Sequence, residues 1–351
     1  MKKYSIGISS LLAVALIFVF SAGCSSGGSS DSKYPEKSAI GSFPIDGMAY
    51  KSFLSGSTIY VTYGKYSLEL EYGIYAINIS DPATPSLNKK ITTPDNVEGL
   101  AFDSDKVYVL HLDWDEGRQW YSKLIAYDAS LDPTTDSIDF DNFGTGVAVS
   151  NGYAFISFAD SSTDSMRIID LSTFTEEETY PLDNGSYHIR VNGSRAYLSG
   201  QSVALEIVDI TDPESPEHIG SYDNPFGSAP QDLYIYDNYA LLSSGSYGVA
   251  IIDISDEYNP AFIEFNDEPG YAKKITAAGS MVFLADQDSG VIVIDASSGV
   301  DNFVVKGICK TSFTVQDMCV SGNYVYAVST DSSSPNGNGL LEVFDISSWQ
   351  E

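Results

Sequence analysis

Histidine and cysteine are nearly absent from the 351 residues, three of each, and positive charge is scarce: 18 lysines and arginines stand against 48 aspartates and glutamates, a formal net charge of −30. So acidic a surface repels polyphosphate, which excludes nucleic acid and anionic lipid head groups as direct ligands. His111, His188 and His218 do not lie at metal-ligand spacing with one another, and the chain has no zinc signature, nucleophile elbow or phosphate-binding loop. "DQDSG" at Asp286–Gly290 and "DWDEG" at Asp113–Gly117 carry fragments of calcium loops without the remaining acidic ligands, which leaves them as solvated hairpin turns. No metal, no cofactor and no catalytic residue is assigned. Helical periodicity is also missing, and the single long apolar run, Ile6 to Phe20, is too short to span a bilayer comfortably.

That run reads as part of a signal peptide. It follows Lys2 and Lys3 and precedes small residues and Cys24. "SAGC" at Ser21–Cys24 resembles the lipobox of bacterial lipoproteins, in which the cysteine becomes the lipidated N-terminus; Ser21 departs from the aliphatic residue usual at that place. The expectation is residues 1–23 as signal peptide, 24–37 as a lipidated Cys24 with a flexible Ser/Gly tether, and 38–351 as one domain. The mature chain would carry 16 basic against 48 acidic residues, a charge of −32. Ser25 is not the Asp that retains some lipoproteins at the inner membrane, so the outer membrane or cell surface is the expected location. Cys309 and Cys319 read as buried small hydrophobes on an outer strand and the next inner one, too far apart to bond.

What the chain does have is a repeat. An apolar run ending in Asp or Asn, a small aliphatic residue and Ser/Thr occurs seven times, anchored at Asn78, Asp128, Asp170, Asp209, Asp253, Asp295 and Asp345, with spacings of 50, 42, 39, 44, 42 and 50 residues. Each unit holds a second apolar run 15 to 20 residues earlier, such as "YAFISF" from Tyr153. A strand ending in a tight Asn/Gly/Asp turn precedes that run, and a fourth strand such as "PEHIGSY" follows the anchor. Four short antiparallel strands, apolar on both faces, cannot bury themselves alone, but a ring of such sheets can. The last unit stops after its third strand, and "SAIGSF" at Ser38–Phe43 matches the fourth strand "EHIGSY" at Glu217–Tyr222. The reading is an all-β, seven-bladed β-propeller of four-stranded antiparallel blades, monomeric, its last blade completed by the N-terminal strand so that no sheet edge is left open.

"LEIVDITDPESP" from Leu205, "VAIIDISDEYNP" from Val249 and "IYAINISDPATP" from Ile74 resemble the LVIVD repeat of bacterial and archaeal cell-surface proteins. The resemblance runs over roughly Ser38 to Ser348, strongest at Asp209 and Asp253 and weakest at Asp128 and Asp170, which lack the "DPxxP" turn. It implies a propeller-type fold and an envelope location, and it transfers no catalytic residue. The anchor Asp itself reads as a cap on the following turn.

Two candidate sites follow. Three connections between second and third strands are long, Thr62–Gly73, Asp113–Lys123 and Thr330–Gly339, and ring closure makes their units neighbours on one rim. The middle one holds Trp114, Arg118, Trp120 and Tyr121, the residue types of binding hot spots. Aligning the inner strands on their tight turns gives a second candidate, a ring at the channel mouth that includes Lys51, His188, Asp232, Lys274 and Asp317, with Tyr50, Glu98, Thr145, Tyr187, Gln231, Lys273 and Gln316 just before it. The function expected is a membrane-anchored, non-catalytic binding or scaffolding module for a protein or glycan partner. The alternative is a hydrolase or lyase at the channel mouth.

Overall fold

Period-two burial on both faces dictates the architecture. In the strand Gly290–Asp295, Val291 and Val293 pack into a core shared with the seventh repeat, while Ile292 and Ile294 pack into the core shared with the fifth. A strand sandwiched in this way must lie between two other sheets. The computed structural model of the protein describes residues 33–351 apart from 67–69, 104, 115–119, 160–163, 183–185, 226, 267–269, 288, 334–336 and 351; the expected signal peptide, Cys24 and Arg118 lie outside the described residues.

The described residues from Tyr34 onward form seven sheets, each with four antiparallel strands in spatial order and one of them with a fifth short strand, and among the described residues the helical elements are two short 3-10 turns. The inner strands are Met48–Ser55, Asn96–Asp103, Gly144–Ser150, Ser186–Asn192, Asp232–Tyr236, Ala272–Ala278 and Thr314–Ser321. They stand side by side, the seventh against the first, so the ring is closed. Seven apolar cores fill the seven gaps between neighbouring blades. Burying one Val or Ile in such a gap is worth about 1.5–3 kcal/mol, and the gaps together hold the ring.

The seventh blade takes its outer strand from the N-terminus, as expected: Gly41–Ile45 pairs antiparallel with Asn338–Asp345, from Gly41 opposite Val343 to Ile45 opposite Gly339. A second clasp was not expected. Glu36–Lys37 adds a short parallel strand to Val304–Cys309 of blade six, and the Lys37 ammonium donates to the Asp345 carbonyl at 2.5 Å and the Ser348 hydroxyl at 2.9 Å. One segment of about ten residues thus stitches blade six to blade seven.

The seven anchors do one structural job. In every blade the anchor side-chain oxygen accepts the backbone N–H two residues on: Asn78 from Ser80 (2.9 Å), Asp128 from Ser130 (2.8 Å), Asp170 from Ser172 (2.7 Å), Asp209 from Thr211 (2.8 Å), Asp253 from Ser255 (2.8 Å), Asp295 from Ser297 (2.9 Å) and Asp345 from Ser347 (2.9 Å). These Asx turns close the connection between third and fourth strands. The turns after Asp253 and Asn78 each pack over a glycine in the outer strand of the preceding blade. A Cβ on Gly220 would lie 2.3 Å from the Glu257 carbonyl oxygen, and one on Gly41 2.4 Å from that of Pro82. At blade six Trp349 and Pro35 fill the same role over Gly307. Cys309 and Cys319 are free thiols on an outer strand and the next inner one, as placed from the sequence.

Candidate functional site

The channel mouth is built by an irregularity that recurs in six inner strands. Pairing with the second strand slips by one residue between Ala49 and Ser52, Val97 and Gly99, Gly144 and Gly146, Ser186 and His188, Ala272 and Lys274, and Val315 and Asp317. A β-bulge of this kind bends the strand and re-aims the side chains at the extra residue. The bulges fall where alignment on the tight turns placed the ring. In the fifth blade Gln231 stands just ahead of the strand, its N–H donating to the Ser243 carbonyl at 2.7 Å.

The ring residues meet one another across blades. Asp232 of blade five, its side chain 2% exposed, accepts from Arg190 of blade four at 3.2 Å, from Lys274 of blade six at 3.3 Å and from the Ile275 amide at 3.2 Å. Asp317 of blade seven accepts from the amide of Ser52 in blade one at 2.8 Å and from that of Met318 at 2.7 Å. Lys51 binds the Glu98 carboxylate of blade two at 2.8 Å and also its carbonyl, and Lys273 donates to the Gln316 side-chain oxygen. All of these contacts except that with the Met318 amide join two neighbouring blades, so the ring also locks the inner strands together. The Arg190 side chain is 41% exposed while the Asp232 carboxylate that it binds is 2% exposed.

Electrostatics follow from this crowding. Burial pushes the His188 imidazole down to about 3, Asp232 opposing the shift and Lys274, Lys51 and Arg190 adding to it. Burial alone would raise the Asp232 carboxyl, but Lys274 and Arg190 outweigh it and hold the group below the ordinary range. Lys273 falls to about 8, mainly through burial, and the Cys319 thiol, 3.4 Å from the Ser52 hydroxyl, is pushed up to about 12 for the same reason. Sequence alignment did not select Arg190, which lies two residues beyond the ring position and reaches the same space from there.

On the rim, the three long connections are largely not loops. The second and third strands of those blades stay paired out to Tyr66 opposite Leu70, Trp114 opposite Trp120 and Asp331 opposite Asn338. They are hairpins continued beyond their neighbours, because Tyr, Trp and Thr hold a ladder without a core beneath it. Thr330 of blade seven donates its hydroxyl to the Ala49 carbonyl of blade one at 2.7 Å and accepts the Ala49 amide at 2.9 Å, tying the blade-seven hairpin to the inner strand of blade one. Trp120 stands 41% exposed, edge-on to Phe143 at 5.2 Å, with Tyr66 at 46% and Leu70 at 60% on the next hairpin. Tyr121 donates its hydroxyl to Asp113 at 3.0 Å. Trp114 ends its strand, its side chain and Arg118 being outside what is described.

The LVIVD repeat profile matches residues 144–176, 186–224, 227–266, 269–311 and 314–348, blades three to seven. The chain belongs to the LVIVD repeat family. The match includes the blade of Asp170, where the resemblance read from sequence was weak, and leaves out those of Asn78 and Asp128, whose four strands and Asx turns are nevertheless the same. A search of curated proteins returned no match. Among solved structures, this LVIVD repeat protein is similar to a hydrazine synthase chain of Kuenenia stuttgartiensis (TM-score 0.65, 13% identity, covering 91% of this chain and 99% of that one). It is also similar to the WD40 repeats of RRP9 (0.64, 11%, 88% and 98%) and to the computationally designed Ika8 protein (0.57, 10%, 88% and 99%). At such identities the likeness is one of fold alone.

Proposed function

We propose that this LVIVD repeat protein is a non-catalytic binding or scaffolding module, exported and lipid-anchored through Cys24 in the bacterial cell envelope, at the outer membrane or cell surface. In this reading it presents the rim of blades seven, one and two to a protein or glycan partner. The observation that carries the reading is the exposed aromatic side chain of Trp120 on a hairpin continued beyond the body of the ring. A large amphipathic side chain held on a stiff ladder loses little entropy on binding, which is what a contact anchor requires. The channel-mouth enzyme is disfavoured by the same geometry that builds the channel: Asp232 is engaged by two cations and an amide, which hold its carboxyl below the ordinary range and make it a poor base.

The test is capture from envelope extracts by the wild-type domain and by Trp120→Ala. The reading requires a discrete partner or glycan retained by the wild type and lost in the variant while thermal unfolding is unchanged; equal retention by both would remove the rim as the site. Anchoring is checked separately. Cys24→Ser is expected to release the protein from the membrane fraction, and continued membrane association of that variant would contradict the lipid anchor.

A further inference from the structure

The channel runs against the charge of the rest of the molecule. Lys51, Arg190, Lys273 and Lys274 face one another there beside three carboxylates, Glu98, Asp232 and Asp317, in a chain with 48 acidic residues and 18 basic ones. The carboxylates do not match the cations one for one. Asp232 is divided between Arg190 and Lys274, Glu98 serves Lys51, and the two oxygens of Asp317 hold the amides of Ser52 and Met318. Lys273 is left with an uncharged acceptor, the Gln316 amide oxygen, and has no carboxylate at ion-pair distance among the described residues. A cation left uncompensated among low-dielectric protein groups projects its field further than one in water.

We propose that the channel mouth binds a compact oxyanion of two or more negative charges, with Lys273 supplying the uncompensated cation and Lys51, Lys274 and Arg190 surrounding the ligand. Phosphate esters and di- or tricarboxylates share this chemistry. Size selects in the same direction as charge: the acidic exterior repels a polyanion too large to enter, whereas a small anion that diffuses to the mouth meets a lining in which four cations outnumber three carboxylates. The binding needs no proton transfer, so the engagement of Asp232 does not oppose it. Lys273 is faced by Gln316 and Asp317 from blade seven, by Lys51 from blade one and by Lys274 on its own strand, and burial with this company brings its ammonium down to about 8.

The experiment is isothermal titration of the folded domain at low ionic strength with orthophosphate and, separately, with citrate, against a chloride control. At least one of the two is expected to bind one site per chain, about tenfold more weakly in Lys273→Met, the loss of one charge-assisted contact. The affinity falls as pH is raised from 7 through the Lys273 value near 8. Trp120→Ala leaves it unchanged, which separates this site from the rim. On the wild type, acetylation of Lys273 followed by peptide mass spectrometry is slowed by the anion that binds, a readout that does not depend on the variant folding. Which anion binds distinguishes a phosphate-bearing ligand from a carboxylate one. No saturable heat with either anion, an unchanged affinity in Lys273→Met, or no protection of Lys273 would each overturn the proposal.

Discussion

At the scale of the residue, the repeat is carried by a hydrogen bond that Asp and Asn make best. The anchor and the residue two positions on were legible in the sequence because an Asx turn is a local device that needs no tertiary partner. Asn78 occupies the anchor of blade one with the same geometry as the six aspartates, so charge is not essential. Asp253→Ala is expected to lower stability by about 1 kcal/mol in urea unfolding, and Asp253→Asn to leave it near wild type. An equal loss in both variants would mean that the carboxylate charge matters. The pH dependence has a definite sign. His188 and His111 are pushed down by burial to about 3 and about 4, so the stability they contribute is complete above the ordinary histidine value near 6.5 and is lost as pH falls toward the lowered values. The anchors Asp170, Asp209, Asp253, Asp295 and Asp345 are held low by hydrogen bonds from their turns and act in the same sense below about pH 4. Asp95, raised to about 6 by burial and by Asp113, acts in the opposite sense between about 4 and 6. Stability is therefore expected to decline from pH 6.5 to 3, with a shallower slope in His188→Gln; an unaltered slope would place the acid sensitivity elsewhere.

At the scale of the element, strands buried on both faces announced themselves by their unbroken β-branched runs, whereas the polar hairpin extensions did not. "YGKYSLELEYG" interrupts its tyrosines with glycine, lysine and glutamate instead of carrying an aliphatic run, and it reads as a loop even though Tyr63 is buried and its flanks continue the ladder. The short parallel clasp of Glu36–Lys37 was equally illegible, because two residues held by main-chain bonds leave no side-chain signature. The glycine of the outer strand was visible in "IGSY" and "IGSF", but its reason was not: the next blade's turn lies where a Cβ would be. Gly220→Ala is expected to lower stability by about 1–3 kcal/mol through overpacking against main-chain oxygens that cannot rotate away. Gly193→Thr, at a turn where a Cβ meets no atom within 4 Å although the backbone is left-handed, gives the cost of conformational strain alone. A smaller loss at Gly220 than at Gly193 would mean that the turn shifts aside.

At the scale of the whole molecule, closure depends on the N-terminal segment. Deleting residues 24–45 removes the outer strand of blade seven and the clasp on blade six, exposing Asn338–Asp345 as an open edge. The shortened protein is expected to unfold at lower temperature and to scatter light at concentrations where the full domain does not; an unchanged transition would show that the ring holds without its stitch. The candidate ring was legible because repeats can be aligned on a turn, which places equivalent residues at one height of one channel. Its balance of charge was not, since that depends on which side chains of neighbouring blades pair, as Arg190 and Lys274 do with Asp232 between them.

The central claim, that the rim of blades seven, one and two is the working surface, is tested most directly by photo-crosslinking in cells from a probe at position 120, with a control probe at Ser172 on an exposed third-to-fourth-strand turn, followed by mass spectrometry of the adducts. A discrete adduct formed from position 120 and not from position 172 is the predicted result. The same adducts from both positions, or none from position 120, would contradict the rim as the site of recognition.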